Sequence, residues 1–386
     1  MKSWKVKVIN GINKINKDEW DACANSIADR FNPFVSYDFL NALEVSGSVT
    51  AQTGWAPHHL VLFDKNNKLI GAVAMYLKNH SKGEYVFDYN WAEAYERFGG
   101  QYYPKFQISI PFTPVTGIRI LSKPGTNRND VEKHILSACI NLSKLNNISS
   151  IHLTFLEKSQ WKRIIQLDFL PRIDQQYHWI NEGYKTFDNF LTKLSSKKRK
   201  NINRERRTVG DHHIILEKLS GKEITETHWD IFFKFYLDTG NRKWGDPYLT
   251  RRFFSLLGNE LSDRILLILC KRNDRYIAGA LHFIGGDCLY GRYWGCIEHV
   301  PFLHFELCYY QAIEFAINKG LRRVEAGAQG EHKVPRGYIP TQTYNAHWFS
   351  DHQFKAAIAK YLESERGYVE DEIEYLNQFL PFRNIN

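Results

Sequence analysis

The sequence predicts a mixed α/β protein of two similar halves, each built on a mostly antiparallel sheet flanked by helices. The chain has 386 residues, more than one hydrophobic core usually organises. Its hydrophobic content of 43% and charged content of 24% are those of an ordinary globular protein. The same order of elements (helix, hairpin strands, long helix, strand) occurs once in each half, and that alternation favours a sheet with helices on its faces.

Two short markers recur in both halves. They are the pairs Trp20-Asp21 and Trp229-Asp230, on predicted helices, and Gly71-Ala72 and Gly279-Ala280, on predicted strands. Along the chain, the distance from Trp20-Asp21 to Trp229-Asp230 is only one residue longer than the distance from Gly71-Ala72 to Gly279-Ala280. Since matched offsets are the signature of an internal repeat, we predict an N-terminal domain over residues 1–171 and a C-terminal domain over residues 172–386.

Hydrophobic runs between polar turns define the individual elements. The predicted hairpin strands cover residues 59–63 and 69–77 in the first half, and residues 264–270 and 276–284 in the second. The predicted long helices cover residues 130–145 and 305–318, and each leads into a further strand. In the second of these helices the apolar residues follow helical spacing. They are Leu307, Tyr310, Ile313, Ala316 and Ile317.

The charge of the chain favours an anionic partner. The formal net charge is +9 and the isoelectric point about 9.0. Basic residues concentrate in the segment 193–207, and we assign four of them to an anionic carrier: Lys197, Lys198, Arg199 and Arg204. The alternatives are a solvated helix face or contact with an anionic membrane surface. Nothing in the sequence predicts sequence-specific DNA binding.

The N-terminal residues and the cysteines predict a cytoplasmic protein. The start lacks the apolar segment of a secretory signal, and no apolar run approaches the roughly 18 residues that span a bilayer. The six cysteines show no Cys-x-x-Cys spacing, so we expect reduced thiols. No metal-binding or nucleophile motif occurs, and we predict neither a metal nor a permanently bound cofactor.

A polar loop beyond a predicted strand carries the candidate catalytic residues. His332 has the ordinary pKa, ~6.5, of a group that accepts a proton near neutrality, and Glu331 could serve instead if burial raised its pKa. Lys333 and Arg336 are candidates for holding a phosphate or carboxylate. A loop closed by its own salt bridges is the alternative. We assign Tyr338 in the same loop to substrate binding.

Further substrate-binding candidates come from both halves. Arg292 and Trp294 lie on the strand before the second long helix, where packing in the core is the alternative for Trp294. Trp91, Glu93 and Tyr95 alternate aromatic and ionisable side chains, a pattern typical of a cleft wall or of packing between domains.

Several motifs resemble those of a known family. They are the segments 83–97 (GEYVFDYNWAEAYER), 102–105 (YYPK), 111–117 (PFTPVTG), 194–207 (LSSKKRKNINRERR), 241–245 (NRKWG) and 327–338 (GAQGEHKVPRGY). Together they resemble the FemAB-like group of peptidoglycan biosynthesis/recognition proteins, which belongs to the Fem-type branch of the GNAT acyltransferases. The resemblance covers nearly the whole chain. It implies two GNAT-like domains in tandem and an N-acyltransferase activity.

The same resemblance implies the co-substrates. GNAT enzymes take acyl-CoA, whereas Fem enzymes take aminoacyl-tRNA, and the amine acceptor would be a cell-wall precursor. A Gly-rich loop for the CoA pyrophosphate has no counterpart at residues 295–304, so both carriers stay open. Because no nucleophile stands out, we expect direct attack of the amine on the acyl group. A non-catalytic module that recognises cell-wall fragments and an RNA-binding protein are the alternative functions.

Overall fold

The computed structural model describes residues 4–243, 247–327 and 330–383, and the chain forms two compact units. The first unit consists of Met1–Ala28, Phe34–Gln175 and Gln342–Asp371, and the second of Asp29–Pro33, Gln176–Thr341 and Glu372–Asn386. The predicted boundary at residue 171 therefore differs from this division. The chain leaves the first unit four residues later and returns to it at Gln342, and the short segment Asp29–Pro33 also belongs to the second unit.

The first unit contains most of the elements before residue 176. Its strands are β1 (Lys5–Ile9), β2 (Trp55–Pro57), β3 (His59–Phe63), β4 (Leu69–Val73), β5 (Met75–Lys78), β6 (Lys105–Ile108), β7 (Ile120–Ser122) and β8 (Ser150–Leu156). Its helices are α1 (Lys17–Ala24), α2 (Tyr37–Val45), α3 (Tyr89–Arg97), α4 (Arg128–Leu145) and α5 (Lys158–Ile164). Strand β9 (Leu170–Ile180) then carries the chain into the second unit.

The second unit continues in chain order. Its helices are α6 (Phe187–Lys193), α7 (Ser196–Asp211), α8 (Glu226–Lys243), α9 (Arg251–Glu260), α10 (Leu303–Phe305) and α11 (Gln311–Asn318), with a π-helical turn, Glu306–Tyr310, between the last two. Its strands are β10 (Ile215–Leu219), β11 (Ile265–Arg272), β12 (Arg275–Ile284), β13 (Cys288–Cys296) and β14 (Arg323–Glu325). A 3-10 helix, Glu331–Arg336, precedes β15 (Ile339–Phe349) and α12 (His352–Asn377), which return the chain to the first unit and end in the second.

Strand pairing confirms the mixed α/β class and explains the division. In the first unit one antiparallel sheet has the order β1-β3-β4-β7, and β2-β5-β6-β8-β15 forms a second series in which only β6 and β8 are parallel. The second unit has the order β10-β11-β12-β13-β14-β9, in which only β13 and β14 are parallel. Because the last part of β15 pairs with β8, residues 342–371 belong with the N-terminal half.

The repeated markers are core positions of the two units. Trp20 and Trp229 are both almost completely buried. A Cβ added at Gly71 would lie 2.5 Å from Val131 on α4, and a Cβ added at Gly279 would lie 3.0 Å from the Phe232 ring on α8. In each unit a helix therefore packs so closely on a strand that only glycine fits. The predicted strand 69–77 is interrupted at residue 74 and forms β4 and β5.

Within the ranges that the structure describes, no helix combines the length and the apolar composition needed to cross a membrane.

Candidate functional site

The candidate loop lies beyond the end of the single parallel strand pair of the second unit. Strands β13 and β14 pair only from Cys288↔Arg323 to Tyr290↔Glu325. Strand β14 ends there, whereas β13 continues to Cys296 with a β-bulge at Arg292 opposite β12. Bulges and unpaired strand ends are common beside ligand sites, because they leave backbone groups accessible. The 3-10 helix that carries His332 begins at Glu331, six positions after the last residue of β14.

His332 is exposed but held in place by aromatic residues. Its Nε2 lies 2.8 Å from the Tyr309 hydroxyl, and its ring stacks on Phe305 at a centroid distance of 5.6 Å. Tyr309 lies in the π-helical turn, a rare conformation that often occurs at functional sites. Gly330 has a φ of 111°, and a Cβ there would lie 2.3 Å from the His332 ring. The loop therefore needs glycine at position 330 to accommodate this ring position.

Lys333 points inward from the same turn and is 2% exposed. Its ammonium donates a hydrogen bond to the Gly327 carbonyl at 3.0 Å and lies 5.5 Å from the centroid of the Tyr177 ring. Burial lowers the pKa of Lys333 to about 7, because a charged amine loses its hydration there. A lysine that titrates near neutrality within a cleft loop is a typical feature of a reactive site.

We expect the burial of Lys333 to show in the pH dependence of stability. The pKa is about 7 in the folded chain and 10.5 ordinarily, so the unfolded chain binds more protons between these values. The free energy of unfolding should therefore rise with pH from about 7 to about 10.5, by a few kcal/mol. Lys333→Met should reduce this rise, measured by urea unfolding at several pH values. Lys200→Met, at an exposed lysine, should leave it unchanged.

Arg336 is turned into the second unit rather than towards solvent. Its guanidinium makes two hydrogen bonds to Glu205, of 2.7 and 3.2 Å, and stacks 3.5 Å from the centroid of the Phe305 ring. It also donates to the His332 carbonyl, and the Tyr310 hydroxyl donates to Glu205. Both partners of the ion pair are largely buried. Arg336 thus fixes the loop backbone, and the anion that it holds in this structure is Glu205.

The other candidates of the second unit have mixed environments. The Tyr338 side chain is completely buried against Tyr309, and its hydroxyl has no hydrogen-bond partner among the described residues. Arg292 is half-buried at the bulge of β13. Trp294 is half-buried on the part of β13 beyond its pairing with β14, and its ring contacts His304 at 5.3 Å. Arg292 and Trp294 are therefore partly accessible, and Trp294 connects to His332 through the ring of His304.

The candidates of the first half lie in the first unit. Trp91 is 4% exposed and packs between Arg172, whose guanidinium is 4.7 Å from the ring centroid, and His347. Glu93 is exposed and pairs with Arg97 one turn further along α3. Tyr95 stacks on Phe354 and has its hydroxyl 3.4 Å from Asp351.

The basic segment forms helix α7 with one exposed face. We call Lys197, Lys200, Arg204 and Arg207 the basic face. These four residues are exposed and recur at helical spacing, and within the described ranges none has an acidic partner. Lys198 and Arg199 are half-buried at the start of the helix. The opposite side packs inward through Ile202, Glu205 and Val209. Helix α7 thus presents cations outward while its buried acid, Glu205, holds Arg336.

Two functional contacts have no signal in the sequence. In the sequence Glu205 is one residue of a basic run, and Tyr309 and Tyr310 are part of an apolar helix. In the structure these residues hydrogen-bond to His332 and Arg336 and so hold the candidate loop. No group of His, Cys, Asp and Glu within the described ranges could hold a metal ion. The motif 241–245 lies partly outside the described residues, as do positions 328–329 of the loop motif.

Comparisons with known proteins agree with this architecture. The sequence matches the FemAB-like family, described as peptidoglycan biosynthesis/recognition, over residues 11–384. No curated protein sequence matches the chain. Among solved structures, FemX is similar with a TM-score of 0.55 at 12% identity, covering 89% of this chain and 98% of FemX. L-PGS from Bacillus licheniformis has a TM-score of 0.51 at 7% identity, covering 86% of this chain and 97% of that protein.

At such low sequence identity the structural similarity shows a shared fold and nothing more. That fold is the tandem GNAT fold that the sequence predicts. The family match is of a different kind, since it rests on the sequence and spans nearly all of it. The chain therefore belongs to the FemAB-like family of peptidoglycan biosynthesis/recognition proteins.

Proposed function

We propose that the protein is an N-acyltransferase, which transfers an acyl or aminoacyl group from an activated carrier to an amine by direct attack. The observation that carries this proposal is the loop beyond β14. It presents an imidazole, His332, oriented by the Tyr309 hydroxyl, next to a buried lysine whose pKa is lowered to about 7. A positioned base suits amine attack on an ester or thioester.

The chemistry needs one proton acceptor. The amine nitrogen forms a bond to the acyl carbon, the bond from that carbon to the carrier oxygen or sulfur breaks, and the amine loses a proton. In the tautomer with hydrogen on Nε2, His332 donates to the Tyr309 hydroxyl oxygen and keeps a lone pair on Nδ1. That nitrogen would take the amine proton and pass it to the departing carrier oxygen, whereas a thiol carrier could leave as the thiolate. Tyr309 stays protonated because burial raises its pKa.

The developing negative charge needs stabilisation. Backbone N–H groups of β13 beyond Tyr290, where pairing with β14 stops, are candidates for polarising the acyl carbonyl. Lys333 in its charged form would add a positive charge from beneath the loop. Since the loop backbone is fixed by Arg336 and Glu205, these groups would need little reorganisation during the reaction.

We propose charged tRNA as the carrier. The reason is that the basic face places four cations along one side of α7, none of which has an acidic partner among the described residues. Lys197→Gln with Arg204→Gln should weaken binding of charged tRNA. The slope of log affinity against log salt concentration should fall by about one to two units. Filter binding at several salt concentrations measures this slope. Lys133→Gln with Lys144→Gln, which removes two exposed lysines of α4, should leave the slope unchanged.

The acceptor would be an amine of a cell-wall precursor, as the description of the family indicates. The test offers amine-bearing precursor with either aminoacyl-tRNA or acyl-CoA and detects the amide product by mass spectrometry. Product from aminoacyl-tRNA supports the proposal as stated, and product from acyl-CoA supports transfer with the other carrier. Saturable binding of precursor without product from either donor would identify a recognition module and overturn the proposal.

A further inference from the structure

One face of three neighbouring strands in the first unit is polar although it is buried. Alternate residues of β6, β8 and β15 point to this face. They are Lys105, Gln107 and Ser109, then Ser150, His152 and Thr154, and finally Thr343, Asn345 and His347, and none is more than 3% exposed. The residues between them fill an apolar core on the opposite side. A sheet face of this composition is unusual, because burying polar groups opposes folding unless they find partners.

Several of these polar atoms have no hydrogen-bond partner among the residues that the structure describes. They are Gln107 Oε1, Thr343 Oγ1, Asn345 Nδ2 and His347 Nε2. Each is buried, so each opposes folding. Buried polar atoms are nearly always hydrogen-bonded in proteins, and several orphans on one face indicate that another molecule completes their bonding. The face therefore has the character of a ligand site.

Two lysines define the charge of this site. Lys78 on β5 and Lys105 on β6 are directly opposite each other in the strand register, and both are fully buried. Like charges opposite one another destabilise a strand pair. Here one carboxylate, Glu84, contacts both lysines, and a second, Asp88, contacts Lys105. Lys105 contacts Glu84 at 2.7 Å and Asp88 at 2.5 Å, whereas Lys78 lies 3.8 Å from Glu84.

The carboxylates come from the segment 79–98, which we call the covering segment. Tyr85, between the two acids, has a φ of 61°, a backbone conformation that is strained for an aromatic residue. Three aromatic side chains of this segment are exposed, namely Phe87, Tyr89 and Phe98, and the first two stack on each other. Helix α3 packs into an apolar cluster through Trp91, Ala92 and Tyr95. The covering segment thus combines a strained residue and exposed aromatic side chains with an anchor at α3.

The two carboxylates differ in the hydrogen bonds that they accept. Asp88 accepts from Lys105 and from the Tyr102 hydroxyl, the latter at 2.7 Å. Although burial raises the pKa of a carboxyl, Lys105 holds the pKa of Asp88 well below its usual range. Among the described residues Glu84 accepts a side-chain hydrogen bond from Lys105 alone, and burial raises the pKa of Glu84 to about 7 and lowers that of Lys78 to about 7. With fewer hydrogen bonds to lose, Glu84 is the carboxylate that an incoming anion would replace most readily.

We propose that Lys78 and Lys105, with the polar face beside them, form a binding site for a carboxylate or phosphate group. In this structure Glu84 of the covering segment stands in for that group. Binding of the anion displaces Glu84 and loosens the covering segment. The site belongs to the first unit and uses motif residues that the proposed transfer reaction leaves without a role. Occupation of this site is measured as binding and not as activity. The proposed site can therefore be confirmed or refuted whether or not the protein transfers acyl groups.

The test compares Glu84→Gln with the wild-type protein, using inorganic phosphate and acetate as separate probes at constant ionic strength. Thermal stability as a function of probe concentration gives the affinity. We expect at least one probe to bind Glu84→Gln at least tenfold more tightly, because the internal competitor is neutral. Binding of phosphate alone, or of acetate alone, identifies which group the natural ligand carries. Adding Lys78→Met should abolish the gain.

The matched control is Glu132→Gln, which neutralises another buried carboxylate of this unit, the partner of Arg163. It should bind the probes no better than wild type. Hydrogen exchange provides a second measurement that does not depend on any variant folding. In the wild-type protein, saturating probe should speed exchange of amides in the covering segment. Unchanged exchange there with both probes, or folded Glu84→Gln that binds neither better than wild type, would overturn the proposal.

Discussion

Replacement of His332 by glutamine is expected to lower kcat for acyl transfer by about 10²–10⁴-fold and to change KM by less than about threefold. The size follows from the usual contribution of a positioned general base. KM should change little because glutamine preserves much of the shape and polarity of the loop surface, where His332 is exposed. Steady-state rates at varied acceptor concentration separate the two constants.

Two companion variants test the assignment of the base. Tyr309→Phe keeps the ring beside His332 but removes the hydroxyl at 2.8 Å, so kcat should fall by about tenfold through loss of orientation. Glu331→Gln should have little effect, because Glu331 is exposed and its side chain makes no hydrogen bond or ion pair with any residue that the structure describes. If Glu331→Gln lost most of the activity while His332→Gln changed only KM, Glu331 would be the base instead.

Local pattern was sufficient for most elements of the fold. The apolar run 59–63 forms β3, and the helix predicted at 130–145 is Arg128–Leu145. These elements are determined by residues close together in the chain, so the sequence alone is enough to predict them. The return of β15 to the first unit depends instead on which strand it pairs with. Strand patterns define the buried face but not the partner, so contiguous domains were the natural prediction.

The candidate site shows the same limit. The loop and its ionisable residues were recognisable because polar side chains follow a strand and stand among glycines. The partner of Arg336 could not be recognised from the sequence, because Glu205 lies 131 positions earlier within a run of lysines and arginines. An arginine in a cleft loop is equally suited to an external or an internal carboxylate, and only the fold decides between them.

The Glu205–Arg336 pair is expected to give the largest stability effect in the second unit. Glu205→Ala should lower its free energy of unfolding by about 3–5 kcal/mol, because Arg336 would stay buried without its counter-ion. Hydrogen exchange of second-unit amides measures the loss where it occurs. Glu93→Ala breaks an exposed pair of α3 and should have almost no effect. An equally small loss for Glu205→Ala would show that Arg336 has another partner.

The double variant Glu205→Leu with Arg336→Met distinguishes stability from positioning. Removing both charges together leaves no unpaired ion, so the free energy of unfolding should return close to the wild-type value. Transfer activity should not return, because the guanidinium also holds the His332 carbonyl and no apolar side chain can. A stable double variant with wild-type kcat would mean that the pair supports the fold alone. A stable variant with reduced kcat would show that this contact positions the loop for catalysis.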